Sequence, residues 1–147
     1  INTEWKPNII KFDAEAMGKA FNQGEYWVSH TYPENIFEEV PEEMWDSIDF
    51  FLPEDGGPLY IDSMVILANA PNPDIAHEFI NFFHRPEIYA IFLDEFRYPS
   101  TVNSAADEFR ESEPFYAMEM LDNYELKVDL GEHLDKYNAI WQTIRYH

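Results

Sequence analysis

The sequence predicts an α/β fold, and three observations carry the prediction. Aromatic and β-branched runs recur between segments of helical period, and Pro and Gly punctuation separates the two kinds. The nearly continuous apolar run from Met64 to Leu67 suits a strand covered on both faces. Finally, 46% of the 147 residues are apolar, including 12 Phe, 9 Tyr and 4 Trp. That is too much apolar matter for a disordered acidic tail, although the net charge is −20.

The first helix is expected between Asp13, a candidate N-cap, and Gly24, placed where a left-handed C-terminal residue is wanted. Phe12 can staple onto Met17. Tyr26 to Thr31 reads as a strand, and Pro33 can open a short helix through Val40. Ile48 to Leu52 is a second short strand. The run Pro53-Glu54-Asp55-Gly56-Gly57-Pro58 is turn chemistry and the clearest break in the chain.

Beyond that break, Leu59 to Ala68 reads as strand. Asn72-Pro73 is an N-cap followed by an N1 proline, and the helix it opens places Ile75, Ala76, Phe79, Ile80 and Phe83 on one face. Pro86 opens another helix, with Ile88, Ile91, Phe92 and Phe96, which Tyr98-Pro99 ends. Asn103 can cap a short helix through Phe109. The last long helix starts near Glu132 and spaces Leu134, Tyr137, Ile140, Trp141 and Ile144 helically. Three or four strands make a thin sheet for this length, and Ile-Asn-Thr-Glu-Trp is an odd translation start. Both predict a piece of a longer protein.

Charge and motifs exclude several functions. Nine scattered basic residues cannot neutralise a nucleic-acid backbone, so DNA and RNA are disfavoured as partners. With no cysteine there is no disulfide framework, Cys-ligated metal or thiol nucleophile. His30, His77, His84, His133 and His147 show no zinc-protease spacing, and no nucleophile elbow or phosphate-cradling loop occurs. An enzyme is not expected. The acidic cluster of Glu38, Glu39, Glu42, Glu43 and Asp46 reads as a solvated face rather than a cation site.

The informative segment is Gly56-Gly57-Pro58-Leu59-Tyr60-Ile61-Asp62-Ser63-Met64. Strand alternation puts residues 60 and 62 on the same face. An unpaired buried carboxylate is costly, so Asp62 sits at an edge, pairs internally or meets a cationic ligand. Spacing alone favours the internal alternatives, and Tyr32 and Tyr98 alone would be ordinary half-buried aromatics.

The order of these motifs adds more. Gly24-Glu25, the strand ending at Tyr32, Gly56-Gly57 with Tyr60-Ile61-Asp62-Ser63, Ala68-Asn69-Ala70, Phe79-Ile80-Asn81-Phe82, Arg85-Pro86, Tyr98-Pro99 and Asn103 follow one another at a particular spacing. In this the chain resembles the C-terminal half of bacterial spermidine/putrescine-binding proteins, the periplasmic capture components of polyamine ABC transporters. The resemblance covers nearly the whole chain and is densest from Gly56 to Ala106.

It implies part of a two-lobed periplasmic-binding-protein fold of type II, incomplete without a missing N-terminal half. Residues 1–59 would belong to lobe two, 60–106 to lobe one and 107–147 to lobe two again. It further implies a ligand site of aromatic faces and carboxylates. Tyr32, Tyr60 and Tyr98 would take the aromatic places and Asp62 that of the carboxylate that binds an ammonium. A glutamine used by some spermidine binders aligns with Lys127, which cannot accept an ammonium hydrogen bond.

The chemistry is coherent, because a polyamine is an apolar stem carrying cationic nitrogens. Aromatic faces cover its methylenes and attract its cations, at roughly 0.5–2 kcal/mol per contact. A carboxylate then fixes one ammonium along the cleft. The implied partners are the polyamine (putrescine or spermidine), the remaining N-terminal part of the same protein and a transporter permease, with no cofactor. The implied location is periplasmic, and a lipid anchor would sit on a cysteine upstream of Ile1. Two alternatives remain open at this stage: a binder of the same fold for a sugar, another amine or ferric iron, and an acidic interaction module without a small ligand.

Overall fold

A computed structural model describes residues 4–59 and 61–146. They fall into two compact units, one within Ile1–Asp49 and Val128–His147, the other within Phe50–Lys127.

In the first unit, helix α1 (Met17–Asn22) packs on α2 (Pro33–Phe37). Ala20, Ile36 and Val40 are buried there. The two helices approach so closely that a Cβ on Gly18 would lie 1.7 Å from the Asn35 carbonyl oxygen. Gly24 ends α1 as expected. At φ +73° it completes a Schellman motif, with Glu25 N–H donating to the Ala20 carbonyl and Gly24 N–H to that of Phe21. The N-terminus differs from expectation: Asp13 Oδ1 accepts from the amides of Glu15 and Ala16, and the helix begins only at Met17. Asp13 thus closes a turn ahead of the helix. Helix α5 (Leu134–Tyr146) follows a 3₁₀ turn at Gly131–His133, and its Trp141 meets the Phe12 ring edge-on at 5.1 Å.

The second unit contains a parallel pair, β1 (Pro58–Leu59) and β2 (Glu125–Leu126), in the register Pro58↔Glu125 and Leu59↔Leu126. A parallel pair requires a crossover. Here it includes α3 (Pro73–Phe83) and α4 (Pro86–Phe96). Both helices start on the predicted prolines, although the Asn72 side chain makes no capping bond; its carbonyl accepts from the Ala76 amide at 3.2 Å. Asn103 does cap the 3₁₀ turn Ser104–Glu108, accepting from the Ala105 amide. The core of this unit is Tyr89, Ala90, Leu93 and Ala106, with Phe83, Phe92 and Tyr98 packed around it. No helix among the described residues is long and apolar enough to cross a membrane.

The strand expectations need correction. Tyr26–Thr31 and Ile48–Leu52 carry no ladder among the described residues, and of the described residues of the expected strand from Leu59 to Ala68 only Leu59 is paired. A ladder needs a neighbour to receive its N–H and C=O groups, and local β propensity does not provide one. Several apolar side chains of these segments are correspondingly open, with Trp27 94%, Val28 80% and Val65 77% exposed.

Candidate functional site

The double glycine is explained by what packs on it. Gly56 has φ +86°, and a Cβ there would lie 2.0 Å from the Asn123 carbonyl oxygen. A Cβ on Gly57 would lie 2.8 Å from the Tyr124 ring. The bare backbone therefore lets segment 123–126 close over the turn. Tyr124 Oη and Asn123 Nδ2 reach the carbonyls of Pro53 and Glu54, at 3.4 Å each. The ladder then forms, with Glu125 N–H donating to Gly57 and Lys127 N–H to Leu59. This fixes the point from which the chain runs on to Asp62.

Asp62 is exposed, in a stretch without helix, turn or ladder. No hydrogen bond or ion pair from the described residues reaches its carboxylate. The internal pairing that spacing alone favoured is therefore not found there. Tyr60 lies outside the described residues. Lys127, held through its amide to Leu59, has an exposed side chain.

Tyr98 is half-buried directly after α4. Its ring stacks on Phe96 at 5.6 Å and meets Phe92 edge-on at 6.2 Å. The turn that carries it begins at Arg97, a left-handed residue with φ 50° whose carbonyl accepts from the Phe115 amide. Asn103 Nδ2 ties the far side of the turn to the His84 carbonyl at 2.9 Å, and Ser100 Oγ closes onto the Asn103 carbonyl. Tyr32 belongs to the other unit. It is the N-cap residue of α2, with an extended backbone set by the following Pro33, and its side chain is 45% exposed.

Sequence reasoning missed the polar cluster beneath Tyr98. Asp94, on the last turns of α4, accepts from the amides of Glu111 and Ser112 at 2.9 and 3.0 Å and from Ser112 Oγ at 2.8 Å. Partial burial pushes its pKa up. The two amides, the Ser112 hydroxyl and the Arg110 charge outweigh that, so the net shift is downward. One signal was available: Arg110 is the only basic residue between Arg97 and Lys127. Among the described residues, no group of three or more His, Asp or Glu side chains could hold a metal ion.

Helices α3 and α4, crossing between two parallel strands, are an α/β arrangement. The chain belongs to the bacterial extracellular solute-binding protein family, whose model matches residues 6–119. It is 28% identical over 145 residues to the spermidine/putrescine-binding periplasmic protein of Escherichia coli K12, covering 95% of this chain and 41% of that relative. Over 81 residues it is 33% identical to the putrescine/cadaverine-binding protein of Pseudomonas aeruginosa, covering 52% of this chain and 23% of that protein.

Among solved structures it is similar to the TpPotD lipoprotein of Treponema pallidum. The TM-score is 0.93 and the identity 42%, over 99% of this chain and 46% of that one. At that identity and overlap the fold is shared, so the α/β expectation holds and the chain has part of a type II periplasmic-binding-protein fold. The chain spans less than half the length of these relatives.

Proposed function

We propose that this chain supplies part of a periplasmic receptor that captures a polyamine, putrescine or spermidine, for uptake through an ABC transporter. The observation that carries the reading is Asp62, an exposed carboxylate without an internal partner among the described residues, just beyond the β1–β2 pair. A lone carboxylate on an apolar stretch is suited to a charge-assisted hydrogen bond from an ammonium group. The names of the relatives support the same ligand class.

On this reading Tyr32, Tyr60 and Tyr98 supply aromatic faces for the methylene stem and its cations, and Asp62 sets the register of one ammonium. The lobe assignment goes with it: 1–59 and 107–147 in lobe two, 60–106 in lobe one. These bounds concern the whole receptor, whereas the compact units above are those of this chain. The remaining N-terminal part of the receptor covers the open apolar side chains of Trp27, Val28 and Val65. The closed, ligand-filled form is the one the permease reads. The location is periplasmic, with lipid attachment upstream where the receptor is anchored.

A thermal-shift panel on the full-length receptor tests the ligand class. Putrescine or spermidine should raise the melting temperature with concentration, while a neutral sugar and ferric citrate should not. Stabilisation by the sugar or the iron complex alone would overturn the proposal.

A further inference from the structure

Arg110 is nearly buried, its side chain 7% exposed. Nη1 donates to the Tyr98 carbonyl at 2.8 Å and Nη2 to the Leu93 carbonyl at 3.3 Å. Nε faces Asp94 Oδ1 at 3.6 Å, an ion-pair distance. One planar group thus joins the last turns of α4, their own counter-ion and the backbone of the residue that carries the Tyr98 ring. Helix C-termini leave carbonyls without intrahelical partners, and a cation there is favourable. An exposed lysine would meet that need. Burying a guanidinium is expensive, and its fork fits two fixed acceptors at once. What the fork adds over a simple cap is its bond beyond the helix, to Tyr98.

The bond fixes the Tyr98 carbonyl, on the same backbone unit that carries the ring. Arg97 is left-handed, so the chain leaves α4 through a sharp turn, and small changes in the Tyr98 backbone swing the ring against Phe96 and Phe92. Asp94, held by two amides and a hydroxyl, offsets the guanidinium charge, so the clamp adds little positive potential near a cationic ligand.

We propose that Arg110 is a positioning residue for the binding site, fixing the stance of Tyr98 and so raising polyamine affinity without touching the polyamine. The proposal rests on the reading of Tyr98 as a ligand-facing aromatic. It is tested by a double-mutant cycle on the full-length receptor, with putrescine and spermidine affinities measured by calorimetry for the parent, Arg110→Lys, Tyr98→Ala and the double variant.

Arg110→Lys keeps the charge and loses the fork, and should weaken binding at least fivefold. In the Tyr98→Ala background it should change affinity by less than twofold. Asp94→Asn, which loosens the guanidinium, should act in the same direction by a smaller factor and be equally silent in that background; it replaces Arg110→Lys if that variant does not fold. Full additivity, or unchanged affinity in Arg110→Lys while Tyr98→Ala weakens binding, overturns the inference. Unchanged affinity in Tyr98→Ala removes Tyr98 from the site, a separate failure of the underlying reading.

Discussion

Asp62 and Asp94 are carboxylates of the same unit with opposite circumstances. Asp62 has no partner among the described residues, whereas Asp94 accepts three hydrogen bonds and faces a nearly buried cation. On the proposed reading the first is left for a ligand, while the second holds its own segment together. Because the Asp94 pKa is lowered on folding, the native state binds fewer protons than the unfolded state near its titration. Its stabilisation is therefore complete above the unfolded value of ~3.9. It is lost as the pH falls through the lower folded value. Denaturant titrations should show Asp94→Asn costing stability at pH 7, with the gap to the parent narrowing below about pH 4. A gap of constant size down to pH 2 would remove Asp94 ionisation from the account. Asn103 combines a cap with a tie to His84, so Asn103→Ala should lower stability by ~1–2 kcal/mol in the same assay.

At the scale of elements, the double glycine and the β1–β2 pair form one device. Gly56→Ala combines a left-handed φ with a Cβ only 2.0 Å from a carbonyl oxygen. It should destabilise the fold by ~1–3 kcal/mol and disturb the segment leading to Asp62. Hydrogen exchange should then show the amides of Glu125 and Lys127 losing protection first, and full protection in that variant would contradict the packing argument. The helices were legible beforehand because their signals are local: Pro33, Pro73 and Pro86 each occupy a first turn, and Gly24 and Asn103 act at the ends where they were expected. Strands were less so. Tyr26–Thr31 has the right composition, but a ladder depends on a neighbour that no local pattern encodes, and its Trp27 and Val28 side chains stand open. The same limit hid the Arg110–Asp94 clamp, whose members come from segments 16 residues apart and meet only in the fold. Of the site, Asp62 stood out in the sequence as a charge on an apolar run, while Tyr32 and Tyr98 drew attention only through the resemblance.

At the scale of the whole chain, its net charge of −20 contributes a long-range field that attracts cations. Polyamine association should slow as sodium chloride is raised from 20 to 500 mM, because the Debye length shortens from roughly 20 Å to about 4 Å. Stopped-flow rates that ignore salt would confine electrostatics to the contact with Asp62. The open apolar side chains of Trp27, Val28 and Val65 belong to this scale too, as the surface that the proposed remainder of the receptor would cover. Family membership and the shared type II fold support the proposed capture of a solute.

The most direct test is calorimetric titration of putrescine and spermidine into the full-length receptor and its Asp62→Ala variant. The parent should bind at least one of the two, and the variant should bind it at least tenfold more weakly, as expected for the loss of a charged hydrogen bond. Equal affinity in the two proteins would contradict the assignment of that carboxylate to the ligand.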